Sequence, residues 1–182
     1  HGVDSGLIMM MVQTSIYGTV NNGQTRKPSL ILDMANTVIR ENISRLGSNH
    51  YMTIMAIQLS DRQMTLAGKH QDVIVYRSAL NKTETISTRG TWLGIADDIK
   101  DYMEDLTVDI EEGDLILLFT DGITEAENEI GEMYGQMRLE KALNQYADLP
   151  VRKILDTIVA DVNDYQGEQQ DDMTLIVMKK HS

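Results

Sequence analysis

Gly113-Asp114-Leu115-Ile116-Leu117-Leu118-Phe119-Thr120-Asp121-Gly122-Ile123-Thr124-Glu125-Ala126 is the stretch on which the fold turns. Leu115 to Thr120 reads as a strand, apolar until its last residue. Just upstream, Leu106 to Ile110 reads as another strand, and Glu111-Glu112-Gly113-Asp114 as the turn between them, which predicts a hairpin. Asp121 then falls where a buried strand meets a loop. A carboxylate in that position is fixed by a rigid scaffold yet reaches a cleft, which is what a preorganised cation site requires.

A second acidic site has the same form in mirror order. Asp171-Asp172-Met173-Thr174 leads into the short apolar strand Met173 to Met178. Carboxylate oxygens are the donors that hard cations such as Mg²⁺ and Mn²⁺ prefer. Each site also has an ordinary explanation. Asp-Gly after a strand is a common turn, and Asp-Asp before a strand can be a solvated loop. Spacing alone leaves ligand and turn both open.

Outward from this hairpin the chain divides into helical ends and a strand-rich middle. Val3 to about Val20 predicts a Met- and Ile-rich helix ended by Asn21-Asn22-Gly23. Ser29 reads as the N-cap of a second helix, with Leu30, Ile31, Met34, Val38, Ile39 and Ile43 on one apolar face. Tyr51 to Leu59, Met64 to Gly68 and Val73 to Tyr76 read as strands, with turns at Ser60-Asp61-Arg62 and Asn81-Lys82. Ile86 to Thr88 is a weaker strand. Arg138 to Tyr146 and a segment opening at Pro150 read as helices, the latter with Val151, Ile154, Leu155, Ile158, Val159 and Val162 on one side. Hairpin-linked strands grouped between helices give an α+β layer fold. No repeat or linker divides residues 1–182, so a single domain is expected.

Bulk composition narrows the function classes. The net charge is -12, from 28 acidic and 16 basic residues, and no basic stripe is present, which argues against nucleic-acid binding. No apolar run is long enough to span a membrane, and nothing at the start resembles a secretory signal. There is no Cys, so disulfides and thiolate sites are excluded and a reducing cytoplasm is a natural setting.

The stretch from Gly113 to Ala126 resembles the PPM-type, protein phosphatase 2C-like, metal-dependent phosphatases, and within them the bacterial SpoIIE/RsbU branch. Other segments resemble that branch in the same order along the chain. His1-Gly2 is similar to the end of its Gly-Asp-Val-Ser-Gly-His-Gly motif, and Ala67-Gly68 with His70 to its Ala-Gly-His segment. Leu93-Gly94-Ile95, Gly131-Glu132-Met133-Tyr134-Gly135 and Asp171-Asp172-Met173-Thr174 complete the series. The resemblance implies an α-β-β-α sandwich of two antiparallel sheets flanked by helices. It implies two Mg²⁺ or Mn²⁺ ions that activate a bridging water for in-line attack on phosphorus. By position it makes Asp121 and Asp171 metal ligands and catalytic residues, with Asp172 in a more variable ligand place.

Several consequences follow from the resemblance as expectations. The activity is serine/threonine protein phosphatase, the substrate type a phosphorylated anti-sigma-factor antagonist, and the domain the output of an upstream regulatory domain; a homodimer is compatible. The branch's bridging aspartate would lie before His1, so residues 1–182 read as a domain missing its N-terminal strands and inactive alone, within an active parent protein. Ala67-Gly68-Lys69-His70-Gln71-Asp72 departs from the branch by one extra residue and a missing Pro. A non-catalytic pseudophosphatase serving interaction or dimerisation is the competing class, and retention of both Asp121 and Asp171 weighs against it. A haloacid-dehalogenase-like enzyme needs Asp-x-Asp after its strand, and Phe119 stands in that place. His50 and His181 have no partners at metal-ligand spacing, His70 reads as a structural or surface residue, Trp92 as packing the domain rather than binding a ligand, the run Asp97 to Asp105 as a solvated face, and Met9-Met10-Met11 as part of a buried helix.

Overall fold

A computed structural model describes residues 3–23, 27–47 and 49–181. His1-Gly2, the expected end of the first motif, lies outside the described residues. Within them the chain forms two compact units, one from residues 1–70 and 88–109, the other from 71–87 and 110–182. Each unit carries one antiparallel sheet with helices, so the fold class is α+β as read from the sequence.

The first unit holds α1 (Val3–Asn21), α2 (Pro28–Arg45), β1 (Ile54–Leu59), β2 (Gln63–Lys69) and β5 (Leu106–Asp109). Its sheet has the order β1-β2-β5, with Ala56 opposite Ala67 and Thr65 opposite Thr107. Leu32, Ala35, Ile39 and Ile43 of α2 pack with Ala67 and Leu93 in the core, joined by Ile8 and Val12 of α1. Met9 and Met10 face away from that core and are exposed, which corrects the reading of α1 as buried on all sides. The buried face of α2 is also narrower than its sequence suggested. Ile31, Ile39 and Ile43 are buried, whereas Leu30, Met34 and Val38 form a separate exposed stripe.

The start of α2 differs too. Pro28 occupies the first helical turn and Lys27 the N-cap place, so Ser29 lies inside the helix. The capping oxygens come from far along the chain: Ser29 donates its N–H (2.9 Å) and its hydroxyl (2.8 Å) to the Asp105 carboxylate. Proline fits a first turn because its missing N–H would have no partner there, and a carboxylate then serves the free donor beside it. Asp97 pairs with Arg40 and Asp98 accepts the Lys100 N–H, so the acidic run from Asp97 to Asp105 is partly structural. Trp92 packs within the domain by stacking on Tyr51, with ring centroids 4.7 Å apart, and is 38% exposed.

The second unit holds β3 (Val73–Arg77), β4 (Lys82–Ile86), β6 (Leu115–Phe119), α3 (Asp121–Thr124), α4 (Gln136–Tyr146), α5 (Val151–Tyr165) and β7 (Leu175–Lys179). Its sheet order is β4-β3-β6-β7. Strands β5 and β6 therefore do not form the hairpin expected from the sequence; they belong to different sheets. Apolar at every position, β6 is an interior strand with partners on both edges, β3 and β7, while β5 alternates and pairs only with β2. The turn before β6 is tied into the second unit by Asp114, which is 2% exposed. Its carboxylate accepts from Arg77 Nη1, the Ser78 N–H and the Glu111 N–H. β4 likewise begins at Lys82, earlier than the expected Ile86, because Asn81 turns the chain in the left-handed region at φ 50°.

Ile154, Ile158 and Val162 of α5 and Leu139, Ala142 and Leu143 of α4 close one core with Ile74, Leu115, Leu117 and Val177 of the sheet. Phe119 and Ile123 extend that core to the strand end where Asp121 emerges.

Candidate metal centre

The end of β6 is where the expected site residues meet. Phe119 lies opposite Leu175, and the next pair, Thr120 and Thr174, is still joined: Thr120 N–H donates to the Thr174 carbonyl at 3.1 Å. Asp121 therefore follows β6 at the same end of the sheet from which Asp171 and Asp172 lead toward β7. The approach is close. A Cβ on Gly122 would stand 2.5 Å from the Asp172 carbonyl oxygen and 3.0 Å from its carbon, both backbone atoms. Gly122 is needed here for space, not for an unusual φ.

Asp121 opens the four-residue turn α3 and is half-buried, whereas Asp171 and Asp172 are exposed. In each of Asp121 and Asp171 the following residue's N–H holds Oδ1, at 3.1 Å from Gly122 and 2.7 Å from Asp172. No further hydrogen bond to either carboxylate occurs among the described residues, so Oδ2 remains available to a ligand. Carboxylates anchored by one oxygen and open at the other are suitable donors for a hard cation.

The donor set fits such an ion in kind. Among the described residues, no group of three or more His, Asp or Glu side chains could hold a metal ion unaided. Mg²⁺ commonly takes one or two carboxylates and keeps several waters, so the present donors match an open site rather than a closed cage.

The other motif segments have structural duties. Gly68, at φ +99°, allows the Ile54 carbonyl to approach within 2.3 Å of where a Cβ would sit, and its own carbonyl accepts from Thr88 Oγ1. Gly94 donates its N–H to buried Asn36 at 2.8 Å. His70 lies in the first unit, with Nδ1 3.2 Å from Thr53 Oγ1. Tyr134 is buried against α5 and donates its hydroxyl to Asp161. Sequence reasoning passed over Thr120, whose hydroxyl bonds to both Asp172 and Thr174; a hydroxyl residue immediately before a strand-end aspartate was the available signal.

The structure matches the SiaA-PP2C domain of Pseudomonas aeruginosa with a TM-score of 0.80 and 24% identity, over 98% of this chain and 71% of that one. It matches the RsbU and RsbW domains of a Mycobacterium tuberculosis protein with a TM-score of 0.75 and 16% identity, over 100% of this chain and 49% of that one. The fold is thus that of PP2C-type domains. The family model for Stage II sporulation protein E (SpoIIE) matches residues 1–181, and the chain belongs to that family. Phosphoserine phosphatase RsbU of Bacillus subtilis (strain 168) is 28% identical over 98% of this chain and 52% of its own length. The chain thus spans about half of that curated relative.

Proposed function

We propose that this chain is the catalytic domain of a Mg²⁺- or Mn²⁺-dependent protein serine/threonine phosphatase, with Asp121, Asp171 and Asp172 as ligands to the cations. The observation that carries this reading is the meeting of Asp121 with Asp171-Asp172 at one sheet end, backbone against backbone, each of Asp121 and Asp171 anchored through one oxygen. When bound, divalent cations at such a site activate water as a nucleophile and offset charge on the phosphoryl oxygens. Asp121 follows β6 directly and Asp171 lies four residues before β7, so the pairing of these two strands brings both segments to the same sheet end. The chain has no Cys, so a thiolate nucleophile plays no part.

Similarity to the phosphoserine phosphatase RsbU supports a phosphorylated protein substrate of the anti-sigma-factor antagonist type. We further propose that an upstream regulatory domain controls this chain. Among the described residues no helix is long and apolar enough to cross a membrane; we place the protein's action in the cytoplasm as part of this reading. We also take residues 1–182 to belong to one phosphatase domain that acts within its parent protein, with a homodimer compatible with this role. The competing reading, a non-catalytic interaction module, draws on the lack of three convergent donors among the described residues.

Phosphate release from a phosphoserine protein by the intact protein separates the two readings. Turnover should require Mn²⁺ or Mg²⁺ and fall by more than about a hundredfold in Asp121→Asn. Turnover that survives chelation, or is the same in the variant, contradicts the assignment; no turnover under any metal condition favours the interaction module.

A further inference from the structure

Thr120 occupies an unusual place in the β6–β7 ladder. Two antiparallel residues facing each other as a hydrogen-bonded pair normally exchange two bonds, each N–H donating to the other's carbonyl. Thr120 and Thr174 make the first of these, from Thr120 N–H to the Thr174 carbonyl at 3.1 Å. The return bond is different: Thr174 N–H donates at 2.9 Å to Thr120 Oγ1. The Thr120 carbonyl is thereby released from the ladder and accepts the Ile123 N–H at 3.0 Å, the bond that starts α3. The same hydroxyl donates its proton to the Asp172 carbonyl at 3.1 Å.

One side chain thus solves two problems at the strand end. The chain must leave the sheet at Asp121, which would strand the Thr174 N–H without its ladder partner. It must also keep the Asp171-Asp172 segment against Gly122 after the regular ladder has ended. The Thr120 hydroxyl accepts from one side of that segment and donates to the other, using both halves of its bonding capacity.

We propose that Thr120 is a positioning residue for the cation site: its hydroxyl replaces a ladder carbonyl and so fixes Asp171-Asp172 relative to Asp121. The proposal rests on the reading of those aspartates as cation ligands. Thr120 itself touches neither cation nor substrate in this role; it acts through the backbone of the β7 approach. Groups that orient ligands in this way are commonly worth ten- to a hundredfold in metal affinity.

The test compares Thr120→Val, which keeps the shape and removes the hydroxyl, with Thr120→Ser, which keeps the hydroxyl and removes the methyl. Both are made in the intact protein, with Asp121→Asn as the control for the site itself. Calorimetric Mn²⁺ titration and amide exchange at Thr174 are the readouts. Thr120→Val should weaken Mn²⁺ binding about tenfold or more and speed Thr174 exchange by roughly tenfold, while Thr120→Ser stays within about threefold of the natural protein in both. Unchanged Mn²⁺ affinity in Thr120→Val, beside loss in Asp121→Asn, overturns the proposal and leaves the site assignment standing. If Asp121→Asn also binds as the natural protein does, the cation assignment fails and the positioning role falls with it. Should Thr120→Val not fold, Thr120→Ser decides alone: a tenfold loss of Mn²⁺ affinity there shows that the methyl, not the hydroxyl, matters.

Discussion

Gly122 shows how a single missing methyl group sets the geometry of the candidate site. Its absent Cβ is what lets the Asp172 carbonyl lie 2.5 Å from the position an alanine would fill. Gly122→Ala should displace the Asp171-Asp172 segment, destabilise the domain by about 1–3 kcal/mol and weaken Mn²⁺ binding, read by urea unfolding and calorimetry. Unaltered stability would mean that the backbone gives way easily at this point. Tyr134 illustrates a different local effect. Burial first, and then the hydrogen bond to Asp161 and its charge, push the phenol's pKa well above the ordinary tyrosine value. The folded state then holds this proton more tightly than the unfolded chain, so the associated stability is complete below about pH 10 and is lost as pH rises beyond it. Of the seven tyrosines, Tyr134 should therefore contribute nothing to phenolate absorbance of the folded protein near about pH 11. Tyr134→Phe should leave that folded-state signal unchanged and lower the signal in denaturant by one phenolate; a folded-state loss would contradict the assignment. At this scale the aspartates were visible in the sequence, because acidic residues at apolar strand ends are conspicuous. The duties of Thr120 and Asp114 were not, because each depends on partners more than thirty residues away.

Among elements, α2 depends on a distant cap. Asp105→Ala should remove both bonds to Ser29 and cost about 1 kcal/mol, measured as a lower unfolding midpoint with an unchanged folded spectrum. An effect within error would show that water serves those donors equally well. Periodicity correctly indicated α4, α5 and β6, since each has a continuous apolar face or run. It caught β4 only at its last residue, Ile86, because the Lys-Thr-Glu-Thr-Ile pattern carries little apolar signal. That edge strand instead uses Thr83 and Thr85 to bond polar side chains of α4, Asn144, Gln136 and Glu140. It also joined β5 to β6, because a turn signal records that the chain reverses and not which sheet each arm enters. The Asp114 bonds to Arg77 and Ser78, which tie the turn to β3, are long-range in sequence and left no local mark.

For the whole molecule, the α+β class was legible from the grouping of strands between helices, and family membership accords with the motif series spread along the chain. The net charge of -12 made cation binding neither necessary nor unlikely by itself; under the proposed function, the placement of three aspartates at one end of one sheet gives the charge a chemical use. The interior strand β6 is the physical link between fold and function. Its apolar residues seat it between β3 and β7, and that seating delivers Asp121 to the segment carrying Asp171 and Asp172. The most direct test is a calorimetric Mn²⁺ titration of the intact protein against Asp121→Asn and Asp171→Asn. The account predicts saturable binding in the natural protein, weakened at least about tenfold by either substitution. Equal Mn²⁺ affinity in all three would contradict it.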